Sequence, residues 1–144
     1  MKKTIAYLFS CSLLFAFAIT AFSLNDPPQQ VEQIEGKPIM TFKTTMIDLG
    51  EVNKGEKREF SFEFTNTGDA DLIIDLVSGC ECTTTSHSYL PFAPGKSGAI
   101  EVIFDSTEKE ESEIVDLDVF LQNTDPETGL TIVERVQYKF ELVK

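Results

Sequence analysis

Cys80-Glu81-Cys82, followed by His87 five residues after the second cysteine, is the one constellation in the chain with the residue types for chemistry. Two thiolates and an imidazole are soft and borderline donors that suit copper(I) or zinc, and Glu81 or Glu101 could complete such a shell. Structural zinc sites place cysteines two to four residues apart and in two pairs, whereas here a single pair stands one residue apart. A structural pair of loop cysteines is therefore the leading reading, and a metal site at Cys80, Cys82 and His87 the alternative. In a fully extended segment, residues two apart lie roughly 6.6 Å from each other, near the upper limit for a disulfide. A Cys80–Cys82 bridge thus requires the chain to bend at Glu81; without a bend the pair stays as two neighbouring thiols. His87, the single histidine, lies in a polar stretch and reads as a solvent-facing loop residue.

Other chemistries lack their signatures. No protease motif surrounds the cysteines, and the hydroxyl run Thr83 to Ser86 has no G-x-S-x-G elbow, so neither a cysteine nor a serine nucleophile is expected. Glu108 to Glu113 is acidic but lacks the regular oxygen positions and the glycine of an EF-hand, and reads as a solvated loop. Carboxylates are too numerous for their count to argue for a glycosidase. The expectation is a protein that is not an enzyme, with no catalytic residues and no cofactor.

Charge and the amino terminus place the chain. Met1-Lys2-Lys3 followed by an apolar run from Ile5 to Ile19, broken at Ser10, Cys11 and Ser12, reads as an export signal. Ala21 and Ser23 are spaced like an A-x-A site, which puts the cut between Ser23 and Leu24. A retained membrane anchor over Thr4 to Leu24 is the competing reading, since about 20 apolar residues span a bilayer. Lipid attachment at Cys11 is disfavoured because that cysteine falls inside the apolar run. Loss of Lys2 and Lys3 would take the net charge from −12 to −14. Nucleic acid is then an unfavourable partner, because binding it depends on Lys and Arg neutralising phosphates. Cys11 leaves with the signal, so Cys80 and Cys82 would remain in an oxidising, periplasmic or extracellular compartment that permits a disulfide.

The elements that must position the cysteines are strands. Residues 24–38 are rich in Pro, Gln and Glu and read as a flexible linker. Beyond it apolar residues recur with period two: Phe60, Phe62 and Phe64; Ile100, Val102 and Phe104; Val115, Leu117, Val119 and Leu121; Val136, Tyr138, Phe140 and Leu142. No segment shows sustained helical spacing. Turn residues separate the runs at Asn66-Thr67-Gly68-Asp69, Pro94-Gly95-Lys96-Ser97-Gly98 and Asp125-Pro126-Glu127-Thr128-Gly129, with Gly68, Gly95 and Gly129 supplying unusual backbone angles. Strands are expected near 39–42, 47–52, 57–65, 72–78, 98–105, 114–123 and 130–143. About seven strands over 39–144 predict an all-β fold, an immunoglobulin-like antiparallel β-sandwich. The usual inter-sheet disulfide and buried Trp are missing, so phenylalanines must fill the core. Cys80 and Cys82 should then sit at a strand-to-loop junction.

Asn66-Thr67-Gly68-Asp69-Ala70-Asp71-Leu72-Ile73-Ile74, then Ser78-Gly79-Cys80-Glu81-Cys82-Thr83, Pro94-Gly95-Lys96-Ser97-Gly98 and Val102-Ile103-Phe104-Asp105 resemble, in that order, the bacterial family known as domain of unknown function 1573. The resemblance runs from Ile47 to Asn123. It implies an exported sandwich similar to Hydin-like and major-sperm-protein-like domains, with no established biochemical activity. Members of that family commonly carry Gly between the cysteines and Ser before the first; this chain has Glu81 and Gly79 there.

Two functions of different class remain. The first is a non-enzymatic, exported interaction or structural module of the cell envelope, periplasmic or secreted, holding a protein or glycan partner by sheet edges or loops, with no membrane span after signal cleavage. The second is a thiol-dependent copper or zinc binder, or a redox protein, built on Cys80 and Cys82.

Overall fold

The computed structural model describes residues 36–144. The signal read at 1–23, and all but the end of the linker read at 24–38, lie outside the described residues. Eight strands follow: β1 (Met40–Phe42), β2 (Met46–Asn53), β3 (Lys57–Asn66), β4 (Ile74–Ser78), β5 (Thr83–Ser86), β6 (Ser97–Asp105), β7 (Glu113–Thr124) and β8 (Thr131–Val143). They form two four-stranded sheets, ordered β1-β3-β6-β5 and β2-β8-β7-β4. The immunoglobulin-like sandwich expected from the alternation is the fold.

Each expected alternating run places its apolar set inward. Phe62, Phe64, Ile100, Phe104, Leu117 and Tyr138 are fully or almost fully buried, and Phe60 packs at the margin of the same cluster. Burying each such side chain contributes roughly 1.5–3 kcal/mol. The rings meet edge-on, Phe60 on Phe62 at 5.8 Å and Phe64 on Phe92 at 5.0 Å, the geometry that the ring quadrupoles favour.

Three features depart from the sequence reading. The sandwich is mixed, because β2 pairs with β8 in parallel, Ile47 opposite Tyr138 and Val52 opposite Leu142. After β1 the chain crosses to the other sheet within Lys43, Thr44 and Thr45; a link between sheets, unlike a hairpin, does not oblige the strand to reverse against its new neighbour. Thr83 to Ser86 is a strand, paired with β6 from Thr83 opposite Phe104 to Ser86 opposite Glu101, so the cysteines join two strands rather than a strand and a loop. Hydroxyl residues carry no apolar alternation to announce it, though threonine suits a pleated surface.

The third concerns glycine. Gly95 and Gly129 have φ of 79° and 70°, as turn residues should, but Gly68 does not; it is a site of close approach, where a Cβ would stand 2.1 Å from the Lys37 carbonyl oxygen and 2.5 Å from the Ile39 nitrogen. That clearance admits the end of the segment read as a linker into the domain. The Lys37 N–H donates to the Asp69 carboxylate at 2.6 Å, and Pro38 is buried.

The same corner is closed by Asn66, a fully buried polar residue. Its amide donates to the carbonyls of Ala70 (2.7 Å) and Phe92 (2.8 Å), and its side-chain oxygen accepts from the N–H groups of Gly68 (3.0 Å) and Ile39 (3.3 Å). Asn66→Ala strands backbone groups on several segments at once. Since each buried group left without a partner costs about 1–3 kcal/mol, the substitution should destabilise the domain by about 3 kcal/mol or more. Urea denaturation checks this; a loss below about 1 kcal/mol would mean that water replaces the amide at little cost.

Candidate functional site

The cysteines occupy the passage from β4, an edge of one sheet, to β5, an edge of the other. Gly79 precedes them, and a Cβ there would lie 2.4 Å from Leu117 Cδ2, so any larger residue would have to displace that side chain. A turn follows, in which the Thr83 N–H donates to the Cys80 carbonyl at 2.9 Å. It provides the bend at Glu81 that a bridge requires: the Cα atoms of Cys80 and Cys82 are 5.1 Å apart and their sulfurs are joined. The Asp105 N–H donates to the Cys82 carbonyl at 2.9 Å, tying the turn to β6. Both cysteines are half-buried, and Glu81 at the tip is exposed.

Beneath the bridge stands Tyr138. It projects inward from β8, its ring 5.2 Å from Phe60 and 5.3 Å from Phe104. A phenol so placed needs a partner for its hydroxyl. The Thr83 Oγ1 is 2.6 Å away, and the sulfurs of Cys82 and Cys80 are 3.7 and 3.9 Å away. Thr83 Oγ1 in turn lies 3.3 Å from the Cys80 sulfur and 3.6 Å from that of Cys82. Two sulfurs thus rest on two hydroxyls at the roof of an apolar core. Burial pushes the Tyr138 hydroxyl above the ordinary tyrosine range, only partly opposed by Thr83. It therefore remains a hydrogen-bond donor at every physiological pH.

On the outer side, Cys80 borders a shallow depression of about 240 Å³ walled by Lys109, Glu113 and the stretch Ile114 to Asp116. Lys109, read from the sequence as part of a solvated acidic run, is largely covered and paired with Glu113. Burial holds its ammonium pKa below the usual value.

The other residues named for a metal site are elsewhere. His87 follows Cys82 by five positions, four of them the extended strand β5, which carries it up to about 16 Å along the chain. It is half-buried rather than solvent-facing: its ring packs against that of Tyr89, centroids 4.6 Å apart and planes tilted by 55°, and neither ring nitrogen has a well-formed hydrogen bond. Burial lowers its pKa, against a smaller pull from Asp75. Glu101 pairs with Ser86 on the outward face of its sheet. Among the described residues, no three His, Cys, Asp or Glu side chains gather as a metal would need.

Tyr138 and Thr83 are the members of the site that the sequence reading passed over. Tyr138 stood among core positions as one more apolar residue; the available signal was its hydroxyl, a polar tip in an inward-facing position that must meet a donor or acceptor.

Two four-stranded sheets, a crossing from one to the other after β1 and a phenylalanine-rich core define the class as an immunoglobulin-like sandwich. The chain belongs to the family described as protein of unknown function (DUF1573), whose model matches residues 40–136, the whole stretch over which the resemblance was read. Among solved structures, a protein of unknown function from Porphyromonas gingivalis W83 is similar at TM-score 0.59 and 23% identity, over 73% of this chain and 47% of that one. A PapD-like domain of human CEP192 is similar at TM-score 0.57 and 13% identity, over 73% and 85% of the two chains. The VesB protease of Vibrio cholerae is similar at TM-score 0.55 and 16% identity, over 72% of this chain and 31% of that one. This chain therefore spans under half of the P. gingivalis protein and under a third of the protease, and the likeness is one of fold. No curated protein matches the chain.

The raised Tyr138 pKa has a signed consequence. A group whose folded pKa lies above its unfolded value stabilises fully below the unfolded pKa, about 10 for tyrosine, and loses that contribution as pH rises further. Stability should thus fall from about pH 10 upward, and the tyrosinate absorbance of the folded protein should include a late component that disappears in Tyr138→Phe. An unchanged late component in that variant would place the buried phenol elsewhere. The variant itself should lose about 1 kcal/mol with the hydroxyl pair.

Proposed function

We propose that this chain is an exported, non-enzymatic interaction module of the cell envelope that docks a protein partner on the outer face of the β2-β8-β7-β4 sheet. The reading rests on one observation. Phe120 of β7 pairs with Leu76 of β4 on one side and with Val133 of β8 on the other, on the face turned away from the core. Leu76 and Val133 are each 46% exposed and Phe120 between them is half-buried, so a continuous apolar row crosses three strands at the surface. Isolated exposed apolar residues are ordinary; rows of them are characteristic of interaction surfaces. The outer face of the β1-β3-β6-β5 sheet differs, with Thr65 bonded to Ser97 and Lys57 paired with Asp105.

The partner's chemistry follows from charge. With 24 acidic residues against 12 basic ones, the surface around the row favours a partner whose apolar contact is rimmed by Lys and Arg. Export is supported by Met1-Lys2-Lys3, the apolar run to Ile19 and the Ala21-Phe22-Ser23 site. For the docking surface, the non-enzymatic reading draws on a sequence without a protease motif around the cysteines or a G-x-S-x-G elbow. The whole family shares an unassigned function, so the partner's identity must come from experiment.

A photo-crosslinking residue at Val133, in the exported protein within cells, should capture one discrete envelope protein, whereas the same residue at Ser61 on the opposite outer face should not. Leu76→Glu together with Val133→Lys should abolish the adduct from a crosslinking residue at Ile114 on the same face while changing stability by only about 0.5 kcal/mol per site, as exposed positions do. Equal labelling from Val133 and Ser61, or an adduct consisting only of a second copy of the chain, would overturn the reading.

A further inference from the structure

We infer that the Cys80–Cys82 bridge is a thiol–disulfide exchange centre that accepts two electrons from an external dithiol borne on a neutral or basic carrier. This goes beyond the docking surface and stands or falls independently of it.

Three observations carry the inference. First, the bridge has little structural work. It closes a loop of three residues, and the stabilisation a cross-link supplies by constraining the unfolded chain shrinks with loop length. Its turn is already held by the Thr83 N–H on the Cys80 carbonyl and the Asp105 N–H on the Cys82 carbonyl. Second, the two cysteines are differently placed. Cys80 borders the open depression beside Lys109 and Glu113, whereas Cys82 does not line it. Third, hydroxyls wait where charge would develop. Thr83 Oγ1 lies within 3.6 Å and the Tyr138 hydroxyl within 3.9 Å of both sulfurs, in a half-buried setting where a hydrogen bond to a thiolate counts for more than it does in water.

The exchange runs in two displacements. A thiolate of the dithiol attacks Cys80 Sγ from the depression; a bond forms between them, the Cys80–Cys82 bond breaks, and Cys82 Sγ departs with the electron pair as a thiolate. Tyr138 or Thr83 donates a hydrogen bond to it until it takes a proton from solvent. The second thiol of the dithiol, having lost its proton to solvent, then attacks its own partner sulfur in the mixed disulfide, and Cys80 leaves as a thiolate that is protonated in turn. The dithiol has lost two electrons and two protons, and the cysteine pair has gained both. Glu113 and the Lys109 ammonium offset each other, and Arg135 is shared between Asp116 and Asp118, so one carboxylate there stays uncompensated; together with Glu81, exposed at the tip of the turn, it repels an anionic attacker. The site therefore discriminates by charge against reductants such as glutathione.

The test uses the exported protein purified without reductant. Millimolar dithiothreitol at neutral pH, quenched with iodoacetamide, should place two alkyl groups on Cys80 and Cys82 within minutes while circular dichroism stays native. Cationic cysteamine should open the bridge at least tenfold faster than glutathione, with the difference shrinking in high salt. Tyr138→Phe, a positioning change, should slow reduction severalfold at unchanged native spectrum. With cystamine, the thiol left in Cys82→Ser should form a mixed disulfide at least tenfold faster than that left in Cys80→Ser. A bridge that resists dithiothreitol until the protein unfolds would overturn the inference. So would two free thiols, with or without a stoichiometric metal, in the purified protein. Glutathione outpacing cysteamine would overturn the charge selectivity, and equal rates in the two serine variants the assignment of Cys80 as the attacked sulfur.

Discussion

One buried carboxamide organises an entire end of this sandwich. Asn66 is the last residue of β3, yet its side chain reaches four backbone groups, on Ile39, Gly68, Ala70 and Phe92, while its own N–H and carbonyl bond Lys96 and Gly95. A buried asparagine amide has two donors and a carbonyl with two lone pairs, and here all of that capacity is used. The entry to β1, the turn after β3, the segment that bridges Leu72 to Phe92 and the approach to β6 are consequently fixed relative to one another. Nothing apolar of the same volume could take its place, since those peptide groups would be left dry and unpaired.

The far side of the core meets a related problem differently. Tyr138 and Thr83 put hydroxyls under the Cys80–Cys82 turn, where the chain leaves one sheet for the other. At Asn66 the polar group completes secondary structure; at Tyr138 it completes nothing in the backbone and points instead at sulfur. Paired hydroxyls over a phenylalanine floor are a costly arrangement if their only task is to fill space, because Phe and Val would pack there without any polar requirement. That asymmetry between the two corners is what the exchange proposed at the second one draws on.

What could be read from the sequence divides along the same line. Where burial is settled locally by alternation, as in Phe60 to Phe64 or Val115 to Leu121, the strands and their inward faces were legible, and so was the sandwich. Where structure depends on partners far along the chain it was not. Thr83 to Ser86 becomes a strand because β6 offers it an edge; β2 runs parallel to β8 because the chain has changed sheets; Gly68 is required by Lys37, a neighbour across space. For the site, the cysteine pair was legible as the centre of interest, but its proposed third ligand was not separable from its true neighbours. His87 is near Cys82 in sequence and distant in an extended strand, while Tyr138 is 56 residues from Cys82 and within reach of its sulfur.

The bridge follows directly on the strand that carries one end of the apolar row, which constrains how the two could serve one partner. Leu76 precedes Cys80 by four residues on the run that ends β4, so they are separated by no more than about 13 Å even if the chain between them is fully extended. An interface of ordinary size is wider than that. A protein seated on Leu76, Phe120 and Val133 would therefore cover or border the depression beside Cys80, and the same acidic surroundings that repel an anionic thiol would favour its basic rim. Docking raises the effective concentration of any thiol such a partner carries, turning a slow bimolecular attack on Cys80 into an intramolecular one. If both proposals hold, a bridge guarded by charge against small anionic reductants, yet close to a surface suited to a protein, would be selective by geometry and open to what first binds.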